Sequence, residues 1–117
     1  MKTANYKVKI GILGCGAIGS GLAKLVKAKL YRDAKLVALF DIDAKKSDKL
    51  QRLLRLKHIA VKSIETLIHR SDCVVEATNA VHTSDMIRRV INARKTVLAM
   101  SVGKLLKSQD LFQLAKK

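Results

Sequence analysis

Residues 8–19 read VKIGILGCGAIG, and this stretch decides the fold. The apolar run Val8–Leu13 stops at a glycine and predicts a buried strand. Residues 14–19 then have the G-x-G-x-x-G spacing, and an amphipathic helical pattern follows them. Such glycines allow a tight turn, a close approach of phosphates to the backbone and close packing of helix on strand. The helix N-terminus adds N–H groups and a positive dipole end. The stretch therefore predicts a dinucleotide-binding turn.

Strand and helix patterns alternate along the rest of the chain, whose 117 residues suit one domain, 1–117. Strands are predicted at 8–13, 35–40, 59–61, 73–77 and 96–102. Helices are predicted at 17–30 and 44–56, after Ser63, around Met86 to Ile91, and after Ser108. This alternation predicts an α/β fold, a doubly wound parallel sheet of the Rossmann type with five strands in the order 3-2-1-4-5. The residues predicted to face the core in the first two helices are Ile18, Leu22, Leu25, Val26, Leu50, Leu53 and Leu54.

Asp41 ends the second predicted strand, about 20 residues beyond the glycine turn, where an acidic residue holds the adenosine ribose hydroxyls. A carboxylate there repels a 2′-phosphate, so NAD is the expected cofactor. Lys45 and Lys46 leave NADP open, because they can grip a 2′-phosphate if their loop turns inward. Asp43 is expected to cap the following helix.

Two further loops follow strands and should line the same crevice. Thr78 and Asn79 can hydrogen-bond cofactor riboses, and residues 100–103 lie near the expected nicotinamide position. His82 either contacts the cofactor or lies exposed in a helical turn, and Glu76 either faces the crevice or pairs with a base. The candidate cofactor-binding residues are Gly14, Cys15, Gly16, Ala17, Ile18, Gly19, Asp41, Ile42, Ala77, Thr78, Asn79, Ser101, Val102 and Gly103.

The composition narrows the classes of protein to which this chain can belong. A signal-peptide pattern and a long apolar run are both missing, and the two cysteines lack metal-ligand spacing, so we expect a cytoplasmic protein without a metal. The net charge of +15 attracts polyanions, and the stripe Lys45, Lys49, Arg52 suggests nucleic acid as an alternative partner. The charges are spread along the chain, however, and no nucleic-acid motif accompanies them, so a solvated basic surface is the simpler interpretation.

The segments KIGILGCGAIGSGLAK (9–24), LFDID (39–43), VVEAT (74–78) and VLAMSVG (97–103) together resemble the amino-terminal domain of L-aspartate dehydrogenases. The resemblance covers about residues 8–104. Homoserine dehydrogenase and the glucose-fructose oxidoreductase group are wider relatives. The second of these groups usually carries an E-K-P element with a catalytic lysine where residues 100–103 here read MSVG.

The resemblance implies reversible conversion of L-aspartate and NAD(P) to iminoaspartate or oxaloacetate, ammonia and NAD(P)H. It also implies a second domain that carries the catalytic residues and follows the part matched here. We therefore assign no catalytic residue, expect the chain alone to be inactive, and expect it to self-associate through the bare sheet edge near residues 97–102. A stand-alone, non-catalytic NAD-binding module or sensor is the alternative.

Overall fold

The computed structural model describes residues 6–78 and 83–100. Several predicted features lie outside the described residues. They are Asn79, His82, residues 101–103 with the end of the fifth predicted strand, and the predicted last helix. No helix in the described ranges is long and apolar enough to cross a bilayer.

The described residues form four strands and four helices, which alternate except that two helices follow one another between the second and third strands. The strands are β1 Val8–Leu13, β2 Ala34–Phe40, β3 Cys73–Glu76 and β4 Thr96–Ala99. The helices are α1 Ala17–Lys29, α2 Ala44–Leu53, α3 Ile64–Arg70 and α4 Thr83–Asn92. All neighbouring strands are parallel, in the order β2-β1-β3-β4. The predicted parallel α/β fold of the Rossmann type is therefore confirmed.

The prediction of five strands in the order 3-2-1-4-5 is wrong in one detail. The segment 59–61 forms a single parallel bridge, Leu39 with Ala60, beside β2. The backbone N–H groups of Ile59 and Ala60 both donate to the Gln51 side-chain oxygen, at 2.7 and 2.8 Å. The residue before them, His58, has a left-handed φ of 63°. The segment therefore donates two hydrogen bonds to a side chain of α2 in place of a continued strand ladder.

Two hydrophobic clusters hold the layers together, one on each face of the sheet. On one face, Ile12 and Val75 lie in a cluster with Val26 of α1 and Leu50 of α2. On the other face, Leu13 and Val74 pack with side chains of α3 and α4, namely Leu67, Ile68, Met86 and Val90. Packing of the helices on the sheet thus fixes the positions of the loops that connect each strand to the next helix.

Three residues predicted to face the core do not. Ile18, Leu25 and Leu53 are all exposed. The buried face of α1 runs through Gly19, Ala23 and Val26, and these mostly small residues let the helix lie close to the sheet. Large apolar side chains one position away on the helix therefore turn towards solvent. The α2 helix also ends before residue 56, since Arg55 takes a left-handed φ of 58°.

Candidate functional site

The carboxyl ends of β1, β2 and β3 meet at one edge of the sheet. The Gly14 N–H donates to the Phe40 carbonyl at 2.7 Å, and the Ala77 N–H donates to the Leu13 carbonyl at 2.8 Å. These bonds join the loops that follow the three strands. Such an edge is where ligands bind in open α/β sheets.

Gly14 makes the turn after β1 possible. Its φ of 103° lies in the region that L side chains rarely adopt. A Cβ at this position would lie 2.6 Å from the Ala77 carbonyl oxygen and 2.9 Å from Thr78 Cγ2. The turn and the loop after β3 therefore approach each other as closely as glycine permits.

The other two glycines of the motif have opposite surroundings. A Cβ on Gly19 would lie 1.8 Å from the Gly14 carbonyl oxygen, so Gly19 brings α1 against the turn. A Cβ on Gly16 would meet nothing within 4 Å, so this position opens onto free space. Packing within the protein therefore does not require glycine at position 16. A ligand group bound against the backbone would require it, because a side chain there would block its approach. These surroundings fit the pyrophosphate of a dinucleotide.

The N-terminus of α1 faces the same space. Gly16 is its N-cap and forms no side-chain capping bond, and no acidic residue lies in the first turn. The first N–H groups of a helix have no partner within the helix, and its dipole is positive at this end. Ala17 and Ile18 begin the helix and are exposed. Residues 16–18 thus form a surface suited to phosphate groups, and the buried residues Gly14, Cys15 and Gly19 shape the turn behind it.

Asp41 lies beside the glycine turn, directly after β2. Its Oδ2 accepts the Cys15 backbone N–H at 2.7 Å, and its Oδ1 accepts the Asp43 N–H at 2.8 Å. A carboxylate has about four acceptor positions, so both oxygens can still accept hydroxyl groups. The side chain of Ile42 beside it is exposed. The sequence predicted that Asp41 holds the adenosine ribose, but it did not predict the bond between Asp41 and Cys15.

Asp43 caps α2, as predicted: its side chain accepts the Lys45 N–H at 3.1 Å. Lys45 and Lys46 are exposed on the first turn of that helix. Lys49 and Arg52, the other members of the basic stripe, are exposed as well.

The Cys15 thiol is buried within the turn. Burial, with a further contribution from the negative charge of Asp41, raises the pKa of this thiol to about 12. Its Sγ donates to the Phe40 carbonyl at 3.8 Å. A thiol that keeps its proton is a poor nucleophile, so the part of Cys15 that contributes to the site is its backbone.

The loop after β3 contains a buried polar cluster that the sequence indicated only by its lone acidic residue. Glu76 is 0 % exposed and accepts hydrogen bonds from the Thr78 N–H at 2.7 Å and the Thr78 hydroxyl at 2.8 Å. The Thr78 hydroxyl also lies 2.7 Å from the hydroxyl of Thr83, the first residue of α4. A carboxylate in an otherwise apolar strand was the available signal, because a buried charge requires donors.

The structure thus places most of the predicted cofactor-binding residues at one edge of the sheet. Residues 14–19, Asp41 and Ile42, and Ala77 and Thr78 meet there. Asn79, Ser101, Val102 and Gly103 lie outside the described residues. Within residues 6–78 and 83–100, no three His, Cys, Asp or Glu side chains are grouped so that they could hold a metal ion.

Comparison with known proteins connects this geometry to a family. The family model "Homoserine dehydrogenase, NAD binding domain" matches residues 14–117. The chain is 34% identical over 113 residues to an L-aspartate dehydrogenase of Methanosarcina mazei. The match covers 94% of this chain and 41% of that protein. An L-aspartate dehydrogenase of Methanocaldococcus jannaschii is 35% identical over 99 residues, covering 84% of this chain and 36% of its own length. The chain thus spans about two fifths of the length of these curated relatives.

Solved structures show the same fold at lower identity. UDP-N-acetylglucosamine 3-dehydrogenase GnnA from Acidithiobacillus ferrooxidans superimposes with a TM-score of 0.81 at 20% identity, over 95% of this chain and 35% of that one. GenD2 from gentamicin A biosynthesis, solved in complex with NAD, gives a TM-score of 0.77 at 19% identity, over 97% of this chain and 32% of that one. The family match, together with the glycine turn, shows that the chain belongs to the family of the homoserine dehydrogenase NAD-binding domain, whose cofactor is NAD.

Proposed function

We propose that this chain is the NAD-binding part of an oxidoreductase that acts on L-aspartate. In the forward direction, L-aspartate loses a hydride and a proton to become iminoaspartate, and addition of water then releases ammonia and leaves oxaloacetate. NAD, when bound, supplies the acceptor for the hydride. The homologues named L-aspartate dehydrogenase support this choice of substrate.

One observation carries the proposal: the glycine turn has open space only where a phosphate needs it. Gly14 and Gly19 are closed in by the protein itself, while Gly16 is open and lies at the N-terminus of α1. In this arrangement the backbone N–H groups of residues 16–18 hold the pyrophosphate. Asp41 accepts the adenosine ribose hydroxyls, and Ile42 lies beside the adenosine.

The nicotinamide half of the cofactor then lies on the other side of the turn. Ala77 and Thr78 border that side in the structure, since both lie close to Gly14. Asn79 and the segment Ser101 to Gly103 are proposed to complete it, on the strength of their positions after β3 and β4 in the sequence.

We also propose that NAD is preferred over NADP. The two backbone N–H groups bonded to Asp41 hold its carboxylate at the end of β2. A 2′-phosphate placed there would meet a like charge in partly buried surroundings, which is unfavourable. Lys45 and Lys46 are the second and third residues of α2. Their positive charges favour the alternative cofactor, NADP, because they could bind its 2′-phosphate.

The catalytic groups and the aspartate site are proposed to lie in the part of the relatives that this chain does not match. Hydride transfer needs a substrate held against the cofactor and a group that moves a proton within hydrogen-bond reach. We further propose that the chain self-associates through β4, which is at the edge of the described sheet. The side chains of Leu98 in β4 and of Met100 directly after it are exposed.

The test of the proposed function is a domain graft. The chain is assayed for NAD reduction by L-aspartate alone, and again after fusion to the unmatched part of the Methanosarcina mazei relative. We expect no turnover by the chain alone and L-aspartate-dependent NADH formation by the fusion. A folded fusion that binds NADH but does not oxidise L-aspartate would count against the proposal, as would turnover by the chain alone.

A further inference from the structure

Glu76 is a buried group to which the proposed function gives no role. It lies at the carboxyl end of β3, paired in register with Leu13, the last residue before the glycine turn. Its side chain is 0 % exposed. Glutamate is almost never fully buried unless it is paired, because removing a carboxylate from water is costly. The position therefore calls for a reason beyond packing.

Two hydrogen bonds join Glu76 to Thr78. One carboxylate oxygen, Oε2, accepts both the Thr78 backbone N–H and the Thr78 hydroxyl. A hydroxyl has a single proton, so the Thr78 hydroxyl that donates to Glu76 accepts from Thr83. These bonds fix the backbone and the χ1 angle of Thr78 together and link the residue to the start of α4.

Fixing χ1 of Thr78 also fixes its methyl group. The hydroxyl points to Glu76, and the methyl carbon Cγ2 lies against the glycine turn, 2.9 Å from where a Cβ on Gly14 would be. The methyl group thus packs against the glycine turn on its β3 side, opposite the β2 side where Asp41 lies. A dinucleotide whose adenosine ribose is held by Asp41 places its nicotinamide half on the β3 side.

From these contacts we infer that Glu76 is a positioning residue, which acts through Thr78 to shape the part of the crevice that receives the nicotinamide half of the cofactor. The inference rests on the proposed mode of NAD binding and assigns one half of the ligand to one cluster of side chains. Loss of the Glu76–Thr78 bonds should therefore weaken contacts with the nicotinamide half and leave contacts with the adenosine half intact.

The experiment compares two ligands on the full chain by titration calorimetry. NADH carries both halves of the cofactor, whereas ADP lacks the nicotinamide and its ribose. Glu76→Gln replaces a charged acceptor by a weaker neutral one, and Thr78→Val removes the hydroxyl while keeping the shape. In both variants we expect NADH affinity to fall about tenfold, as loss of a bond to a charged group suggests, with ADP affinity unchanged.

Glu65→Gln is the matched control, since Glu65 lies exposed on α3 and pairs with Arg89 away from the crevice. It should leave both affinities unchanged. Melting temperatures report whether each variant is folded, and Thr78→Val keeps the test open if Glu76→Gln does not fold. Unaltered NADH affinity, or an equal loss for both ligands, overturns the role of Glu76 and leaves the proposed function standing. A parent chain that binds neither ligand overturns the proposed function, and this inference with it.

Discussion

At the scale of single residues, Asp41 does two things at once. It accepts the Cys15 N–H, which ties the glycine turn to the end of β2, and it presents a negative charge where the adenosine ribose should lie. Both properties come from one carboxylate, so a substitution changes the turn and the ligand preference together. The ratio of NADH to NADPH affinity separates the two effects, because a change in the turn should weaken both cofactors alike.

Asp41→Ala should weaken NADH binding by about 1.5–3 kcal/mol, the range for hydrogen bonds to charged groups. It should also shift the affinity ratio towards NADPH, because the like-charge repulsion is removed. Asp43→Ala is the control: it removes the α2 cap, which is worth about 1 kcal/mol of stability, and should leave the ratio unchanged. Titration of both cofactors with each variant measures the effect. An unaltered ratio in Asp41→Ala would show that Asp41 does not face the ribose and would direct attention to Lys45 and Lys46.

The Cys15 thiol gives a prediction about pH. Its pKa is raised in the folded protein from an ordinary value of 9.0 to about 12. A raised pKa means that the folded state holds the proton more tightly, so this contribution to stability is complete below pH 9 and is lost as pH rises towards 12. We expect the free energy of unfolding to fall over that interval, and Cys15→Ala to reduce the fall. Urea titrations of both proteins across this pH range measure the difference. Identical slopes would show that the thiol is not held protonated by the fold.

At the scale of secondary-structure elements, the segment 59–61 shows how a side chain can replace part of a strand ladder. The Gln51 side-chain oxygen accepts two successive backbone N–H groups, those of Ile59 and Ala60. The same segment forms only the single bridge to Leu39 of β2. A residue of α2 thereby fixes the border of the sheet next to β2.

Gln51→Ala should destabilise the protein by about 1–3 kcal/mol, because it leaves backbone donors of a largely buried segment without their acceptor. Gln51→Glu keeps an acceptor oxygen and is the matched control, expected to lose much less. Urea unfolding gives the free energies, and hydrogen exchange at Ile59 and Ala60 shows where protection is lost. Unchanged exchange at these two amides in Gln51→Ala would contradict the assigned role of Gln51.

The regular elements were predictable because local patterns determine them. β1 and β2 are aliphatic runs that end at Gly14 and Asp41, and the capping role of Asp43 follows from its place before a helix. The segment 59–61 lies beside β2 as predicted, but its reduction to a single bridge was not predictable, because the side chain of Gln51 on another element accepts two of its N–H groups. The prediction that Ile18 faces the core was wrong, because the buried face of α1 consists mostly of small residues and not of its largest apolar ones.

The site could be predicted to the same degree. The glycine turn and Asp41 follow from spacing along the chain, and the structure brings them together as expected. The bond between Asp41 and Cys15 and the cluster of Glu76, Thr78 and Thr83 depend on contacts between separate segments. Spacing in the sequence contains no direct record of such contacts, although an acidic residue in a buried strand signals that partners must exist.

At the scale of the whole molecule, charge and apolar surface act in opposite directions. The net charge of +15 opposes contact between copies of the chain. The edge strand β4 favours contact between copies. Leu98 in β4 and Met100 directly after it are 54% and 45% exposed. The outer side of β4 has no neighbour among the described strands. Salt screens the charges and leaves the apolar surface unchanged, so the balance between the two depends on ionic strength.

We therefore expect a salt-dependent dimer, with the share of dimer rising from low to high salt. Light scattering at several salt concentrations measures it, and Leu98→Lys should shift the equilibrium back to monomer. Thr66→Lys, at an exposed position of α3, adds the same charge away from β4 and is the control. A chain that stays monomeric at high salt would rule out the proposed role of the edge.

The central claim, that the glycine turn binds NAD through the open position at Gly16, is tested most directly by thermal unfolding with millimolar NADH. A ligand present at 100 times its dissociation constant stabilises the folded state by about 2.7 kcal/mol, and the melting temperature should rise accordingly. Gly16→Val should abolish this rise without unfolding the protein, because a Cβ at this position has no protein atom within 4 Å beyond its chain neighbours, while the valine side chain occupies the place of the pyrophosphate. Gly21→Val, also in open space and on the same helix, should keep the rise. No rise in the parent chain, or an equal rise in Gly16→Val, would contradict the account.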